Sequence, residues 1–371
     1  MEIETVELAG STPGIRHTLK VLRYGRAGAG PKAMIQAALH ADEIPAMLVA
    51  ACLREQLAPL DKAGAVLGEI ILVPYANPMG LAQQVLGMPH GRFDLRDGVN
   101  FNRMVPDLSE AAAQAVQGRL GADALANVAL IRAALREAAA GLHAQNPAAD
   151  LKNHLLRWAI DADIVLDLHC DAEASVHIYG LTPQADMCAE LGALLGADAI
   201  LLATESGDSP FDESCSRPWW VAQQRNPDHP VPLACFSVTV ELRGEADTEI
   251  DQAQRDAAAI IEFLRRQGVL AGTPAPLSTP RCDPTPLAAS ETVTAARSGI
   301  VVFHRVPGER VEAGALIAEL VDVDSGERHA LRAQSAGMLY ARMATRWATP
   351  GARLAKSAGT TLVRTGKLLG P

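Results

Sequence analysis

The stretch Ala33-Met-Ile-Gln-Ala-Ala-Leu39-His40-Ala-Asp-Glu43-Ile-Pro45-Ala decides how this chain is read. Residues 33–39 are apolar but for Gln36, and read as a buried strand. The strand gives way to a histidine, two small or polar residues and a carboxylate. An apolar-periodic helix is expected from about Pro45 to Leu57. Imidazole and carboxylate three residues apart, between a strand tip and a helix start, can both face one crevice. A nitrogen and an oxygen donor make a start on a zinc-type site. By itself the pair reads as incidental surface polarity, so the other strand tips decide.

The same texture recurs. Apolar strands are expected at 2–8, 17–24, 68–74, 163–170, 175–179, 198–203 and 236–241, alternating with helices at 107–159, 183–195 and 248–266. A Gly/Ser/Pro turn is expected at 10–14. Asn146-Pro147 breaks the long Ala-rich helical region, and Asp107 with Glu110 has the spacing of a capping box. The glycines of 25–31 precede a strand and include Pro31, so they read as a strand connection and not a phosphate cradle. Alternating strands and helices imply an α/β fold: a mixed, mainly parallel sheet with helices on both faces. Ligands of such sheets bind beyond the carboxyl ends of the strands. Four tips there carry His40/Glu43, Asn77, His169 and Glu241.

Chemistry assigns provisional roles. His40, Glu43 and His169 would supply the three protein ligands of a catalytic zinc site, leaving a fourth position for water. Water so bound becomes nucleophilic near neutral pH. A carboxylate that is not a ligand must then move its proton, and Glu241 is the candidate. Arg92, Arg96 and Arg103, in the polar loop 90–103, are able to neutralise an anionic substrate. Taken singly, those arginines read as solvated loop charge. The loop expected at 204–230, with Trp219-Trp220, is long enough to suggest binding. The other histidines lack a partnered constellation; His177 reads as packed, and His304 and His329 as surface residues.

Composition bounds the remainder. The chain has 371 residues, 49% of them apolar, and a net charge of −10. The charge and the lack of a basic run argue against nucleic-acid binding. No apolar run reaches the length of a membrane span, and the amino terminus has no signal-peptide pattern. The six cysteines show no paired spacing, as in a reducing compartment. A cytoplasmic location without membrane partners is the expectation, with homo-oligomerisation left open. From Gly272 the texture changes. Residues 273–288 form a Pro-rich linker, and 289–371 read as short strands punctuated by glycine. Ser298-Gly299 to Gly314 is echoed by Ala336-Gly337 to Gly351, which suggests a small, internally pseudo-symmetric β-barrel.

Together these motifs resemble the succinylglutamate desuccinylase/aspartoacylase family, a branch of the zinc carboxypeptidase fold. Leu39-His40-Ala-Asp-Glu43-Ile-Pro45 is similar to its G-x-H-G-D-E-x-P corner. Arg92 with Asp97-Gly98-Val-Asn100-Phe-Asn102-Arg103 is similar to its R…D-G-x-D-L-N-R segment. Asp167-Leu-His169 and Thr239-Val-Glu241-Leu-Arg-Gly244 are similar to its D-L-H and T-x-E-x-G strands. The resemblance spans about residues 15–265. It implies Zn2+ on His40, Glu43 and His169, Glu241 as general base and Arg92 polarising the scissile carbonyl. It assigns the substrate carboxylate to Asn102 and Arg103, with Asn100 beside them and Tyr340 contributed by the C-terminal domain. Three positions depart from the pattern: Asn100 stands for an aspartate, and Leu39 and Ala41 for glycines. The C-terminal domain resembles the barrel-sandwich hybrids of biotinyl and lipoyl carriers. Its hairpin at 321–329 has no lysine to modify, so it is expected to cap the site.

These expectations describe a catalytic domain at 1–272, a linker at 273–288 and a capping β-domain at 289–371. The expected activity is zinc-dependent hydrolysis of a linear amide in a small N-acylated amino acid or related metabolite. The alternatives are a zinc carboxypeptidase acting on short peptides and a non-catalytic metal- or ligand-binding relative. No G-x-S-x-G motif supports a serine hydrolase.

Overall fold

A computed structural model of the protein describes residues 1–10 and 12–370. Ser11, in the expected turn at 10–14, and Pro371 lie outside the described residues. The chain opens with β1 (Glu2–Glu7), β2 (Thr18–Gly25), β3 (Lys32–Ala37), α1 (Ile44–Lys62), β4 (Glu69–Val73) and the short α2 (Pro78–Leu81). A small hairpin, β5 (Gln84–Val85) and β6 (Met88–Pro89), leads to α3 (Ser109–Val116), α4 (Ala124–Ala140) and α5 (Pro147–Ala159). Then come β7 (Ile164–Asp171), β8 (Glu173–Ala174), β9 (His177–Leu181), α6 (Ala185–Leu195) and β10 (Ala199–Ala203). The run closes with α7 (Phe211–Arg225), β11 (Phe236–Gly244), α8 (Ile250–Arg266) and β12 (Pro284–Pro286).

Nine strands form one sheet in the order β1-β2-β4-β3-β7-β11-β9-β10-β12. Its centre is parallel: β3 pairs with β4 and β7, and β7 with β11, while β9 runs antiparallel to β11. The chain passes from β3 to β4 on one side and later returns to β7 on the other. That reversal opens a crevice at the carboxyl ends of β3 and β7. The core explains why the centre holds still. Residues of α1, α6 and α8 pack on one face of the sheet, and those of α3, α4, α5 and α7 on the other. On α8, buried Ala253, Ala257, Ile260, Ile261 and Leu264 follow the 3.6-residue period. Each large apolar side chain so buried contributes about 1.5–3 kcal/mol.

Two local expectations fail for identifiable reasons. Most of the loop expected at 204–230 is helix α7, despite Pro218 within it. Its apolar face (Phe211, Cys215, Pro218, Trp219, Ala222) has helical spacing and is buried, which outweighs the proline. The capping box at α3 does not form, because the N-cap residue is Leu108. Asp107 Oδ1 accepts from the Ser109 amide at 2.8 Å, but Glu110 pairs with Arg225 instead of folding back.

The C-terminal region adds β13 (Ser290–Thr294), β14 (Gly299–Phe303), β15 (Arg310–Val311), β16 (Leu316–Val321), β17 (Arg328–Arg332), β18 (Gly337–Arg342), β19 (Trp347–Ala348) and β20 (Arg353–Ala358). They form two four-stranded antiparallel sheets, β13-β20-β18-β15 and β17-β16-β14-β19, with no closed barrel. The sequence echo is visible as an exchange: β15 of the first copy pairs with β18 of the second, and β19 of the second with β14 of the first. Gly299 and Gly337 open the equivalent strands because a Cβ there would meet backbone oxygen, of Val321 at 2.8 Å and of Ala358 at 2.6 Å.

The two regions are joined near the end of β7. Strand β8 pairs with β18, Glu173 bonds Arg342 and Arg346, and Lys356 bonds Asp171. Residues 273–283 carry no regular strand or helix, and β12 then extends the main sheet by pairing with β10. Among the described residues no helix is long and apolar enough to cross a membrane. All six cysteines are free.

Candidate active site

The register of the central strands brings the polar tips together. Ala37 of β3 lies opposite Leu168 of β7, and Glu241 of β11 lies opposite His169. His40 and Glu43 follow β3 by a few residues, so they reach the same corner. Glu43 is the N-cap residue of α1, yet its side chain makes no capping hydrogen bond. It turns inward: His40 Nδ1 lies 2.8 Å from its Oε1, and His169 Nδ1 lies 2.7 Å from its Oε2. A local helix-stabilising contact is given up for the corner.

Each histidine is held from behind. His40 Nε2 is 2.8 Å from Asn100 Oδ1, and His169 Nε2 is 3.0 Å from Asp167 Oδ2. Those partners orient each ring so that Nδ1 faces inward, the usual arrangement of a ligating histidine and its supporting oxygen. The donor atoms of His40, Glu43 and His169 all lie within 4.8 Å of one another, and all three residues are buried. A small divalent cation bonds N and O donors at about 2.0–2.2 Å, so donors gathered on this scale need draw in by only a few tenths of an ångström at most to share one ion. The donor set therefore fits a metal. Arg92 stands at its rim, with Nη1 3.3 Å from Glu43 Oε1 and 3.2 Å from His40 Nδ1.

The corner tolerates its unusual residues because clearance comes from elsewhere. Ala41, at a position where the family pattern has glycine, faces Gly80 and Gly91. A Cβ on Gly91 would lie 2.2 Å from the Asp42 amide nitrogen, and one on Gly80 would lie 2.8 Å from the Ala41 methyl. Ala38 takes the left-handed φ of 57° that turns the chain out of β3.

Electrostatics separates the carboxylates. Burial would raise Glu43, but His169 and His40 outweigh it and hold it below the usual carboxylate range. Burial would lower His169, but Asp167 and Glu43 outweigh it and hold it well above the usual histidine value. His40 is lowered by burial and then by Arg92. Glu241 goes the other way: burial, reinforced by the charge on Glu43, outweighs the pull of His169 and Lys356 and pushes it up to about 8. Its Oε2 is buried with no hydrogen-bond partner among the described residues. β11 is bulged just beyond it, where the register shifts between Glu241 and Gly244.

A cavity of about 190 Å³ opens on this corner and is lined by His40, Arg92, Asn102, Arg103, His169 and Glu241. Tyr340, Arg353, Lys356 and Arg364, from the C-terminal region, line it as well. Asn100 does not; it is spent on His40 and on the Asn102 amide, which it accepts at 2.8 Å. Asn102 accepts from the Phe211 amide at 2.8 Å, and its Nδ2 lies 3.4 Å from His169 Nε2. Tyr340 is 2% exposed, and its hydroxyl lies 2.9 Å from Ser290 Oγ. His177 is packed against Tyr179 and Tyr340, with Nδ1 on the Ser175 carbonyl and no place in the cavity lining. Asn77 braces the corner through the Leu39 carbonyl at 3.0 Å.

Several charged residues were missed by sequence reasoning, Arg353 and Arg364 in the cavity lining among them. Asp212 lines the cavity, and burial, with Glu213 and then Asp167 adding to it, raises it to about 7. Lys356 lines it beside Asp171. Lys152, on α5, donates to the main-chain oxygens of Asn100 at 3.2 Å and Arg103 at 2.6 Å, so it holds the loop that serves both histidine and cavity. Only Asp212 carried a signal, the helical period around it.

The fold and site define an α/β protein with a two-histidine, one-carboxylate cluster at the switch point of its sheet and a cavity over it. The catalytic-domain model of succinylglutamate desuccinylase/aspartoacylase matches residues 29–266, more than half of the chain. The chain belongs to the succinylglutamate desuccinylase/aspartoacylase family. A crystal structure of a family protein from Shewanella amazonensis is 26% identical, with a TM-score of 0.85 over 96% of this chain and 98% of that one. One from Shewanella frigidimarina is 24% identical, with a TM-score of 0.84 over 96% of each chain. The product-bound ectoine utilization protein of Ruegeria pomeroyi is 18% identical, with a TM-score of 0.68 over 97% of this chain and 95% of that one. The last two are similar in fold. No curated protein sequence matches the chain.

Proposed function

We propose that this protein is a zinc-dependent amidohydrolase that removes the acyl group from a small N-acylated amino acid or related metabolite. The observation that carries the proposal is the division of labour at one corner. Two histidines and Glu43 converge their donor atoms, while Glu241 presents an unpartnered buried oxygen to the same cavity. His40, Glu43 and His169 would hold the ion; two nitrogens and one oxygen suit zinc. When bound, the ion supplies Lewis acidity toward a carbonyl and acidifies water.

The chain's own groups do the rest. Glu241 takes a proton at its free oxygen and returns it to the leaving amine; a carboxylate raised toward neutrality is suited to both tasks. Arg92 lies on the rim with its side chain 42% exposed, free to reach the acyl oxygen. Arg103, buried in the wall, would take a substrate carboxylate, with Asn102 next to it in the lining. We divide the chain into a catalytic domain at 1–272, a linker at 273–288 and a β-domain at 289–371 that narrows the cavity and so favours small substrates.

The test combines metal analysis with amine release from N-acetyl, N-succinyl and longer N-acyl amino acids. One zinc per chain and release of amine from some of them are expected. The Glu241→Gln variant should keep the metal and lose at least about 10²-fold in turnover, the scale of general acid–base catalysis. Unchanged turnover would remove Glu241 from the mechanism. A chain that binds no metal would remove the proposal.

A further inference from the structure

One wall of the cavity is closed by the protein itself. Arg103 donates from Nε at 3.1 Å and from Nη2 at 2.8 Å to one acceptor, the Gly370 carbonyl. Leu368, Leu369 and Gly370 line the cavity together with His40, His169 and Glu241. Leu368 is 8% exposed and packs in a cluster with Leu201, Leu287 and Tyr340. The segment is therefore seated with a carbonyl on a guanidinium and an apolar side chain in a small greasy niche. That is how a ligand sits.

Its seat is light. The Leu368 and Leu369 amides share the Ser206 carbonyl, at 2.9 and 3.2 Å. Lys367 bonds Asp208, and Arg364 bonds the Leu368 carbonyl. The Lys367–Asp208 pair is partly exposed, with side-chain exposures of 46% and 38%, so it adds little. No helix or sheet ladder anchors residues 365–370. The forked contact to Arg103 is made by a neutral oxygen. A carboxylate on the same fork brings an opposite charge and two acceptor oxygens for the parallel N–H groups, and so binds it more strongly than one carbonyl does. A molecule offering a carboxylate and an apolar group has the means to displace the segment from both places.

We propose that residues 367–370 are a displaceable internal ligand that occupies Arg103 and an apolar subsite around Leu287 and Tyr340 until a carboxylate-bearing ligand with an apolar side chain replaces it. The proposal deepens the deacylase reading and rests on it for the identity of the ligand. It predicts a preference for N-acylated amino acids with apolar side chains, since these replace Leu368 as well as Gly370. It also predicts that weakening the segment strengthens substrate binding.

The test is amide hydrogen exchange over residues 363–370 of the full-length metal-loaded protein, with and without saturating N-acetyl-leucine, and with N-acetylglycine as the ligand lacking the apolar group. Exchange at Leu368 and Leu369 should accelerate about tenfold with N-acetyl-leucine, the equivalent of 1.4 kcal/mol, and less with N-acetylglycine. The Leu368→Asp and Leu368→Ser variants should show the faster exchange without ligand, and KM for N-acetyl-leucine should fall several-fold at unchanged kcat. Unchanged exchange at saturating N-acetyl-leucine overturns the proposal. Leu368→Asp with unaltered or higher KM overturns it as well. Amine release is read separately: exchange that accelerates without release sinks the deacylase reading and leaves the internal ligand standing. Release without acceleration does the reverse.

Discussion

The two walls of the cavity are built on opposite principles. The His/Glu corner comes from three adjacent parallel strands whose side chains are locked by buried partners: Asn100 behind His40, Asp167 behind His169 and Asn77 on the Leu39 carbonyl. The other wall comes from strand side chains of the C-terminal sheets and from a segment held by a handful of hydrogen bonds. Chemistry that must place atoms within a fraction of an ångström benefits from the first kind of support. Binding that must exchange one occupant for another benefits from the second.

The contrast can be broken at the corner. Removing the support behind one histidine, by Asp167→Ala, should cost about 10- to 100-fold in metal affinity, the usual penalty for losing an outer partner. A chelator competition titration measures it, and unchanged affinity would show that the strand alone orients the ring. Gly91→Ala forces a methyl against the Asp42 amide, so the corner must move. Thermal unfolding should report a loss of about 1–3 kcal/mol, the range for overpacking, together with weakened metal binding.

Lys152 sharpens the comparison because it serves both walls, through the carbonyls of Asn100 and Arg103. Burial lowers its ammonium from 10.5 to about 8. The folded protein then holds fewer protons on this residue than the unfolded chain between those values. Its contribution to stability is therefore least below pH 8 and rises with pH across the window. Measured against Lys152→Met, wild-type stability should improve by about 3 kcal/mol through that window, at 1.36 kcal/mol per pKa unit. A pH-independent difference would show that the lysine is not desolvated. The smallest effect belongs to the looser wall. Tyr340→Phe removes a hydroxyl committed to Ser290 and should cost about 1 kcal/mol of stability. Amine release should change by less than tenfold; a larger loss would give Tyr340 a direct part in the chemistry.

Much of the corner was legible because an apolar strand that ends in a polar residue marks its own tip. His40, Glu43, His169 and Glu241 were all found that way, and register brought them together. Asn100 was legible as a departure from the family pattern but not in its role, which is to face His40, 60 residues away in sequence. Helix α7 was hidden by Pro218, although the period of its buried face was present. Lys152 and Lys356 drew no reading from the sequence, since nothing local to either residue shows that it faces the cavity or the loop beside it.

What the sequence determined by itself was the alternation of elements, the four polar tips and the glycine echo of the C-terminal sheets. Each of these is written in neighbouring residues, through side-chain periodicity and the conformational demands of turns. Tertiary structure alone decided which nitrogen of each histidine faces inward, how Gly80 and Gly91 make room for Ala41, and that residues 367–370 lie in the cavity. Arg103 and Gly370 are 267 residues apart, and no local pattern encodes a contact between them. Such a contact exists only once the packed sheet and the C-terminal strands have brought both ends of the chain to one crevice.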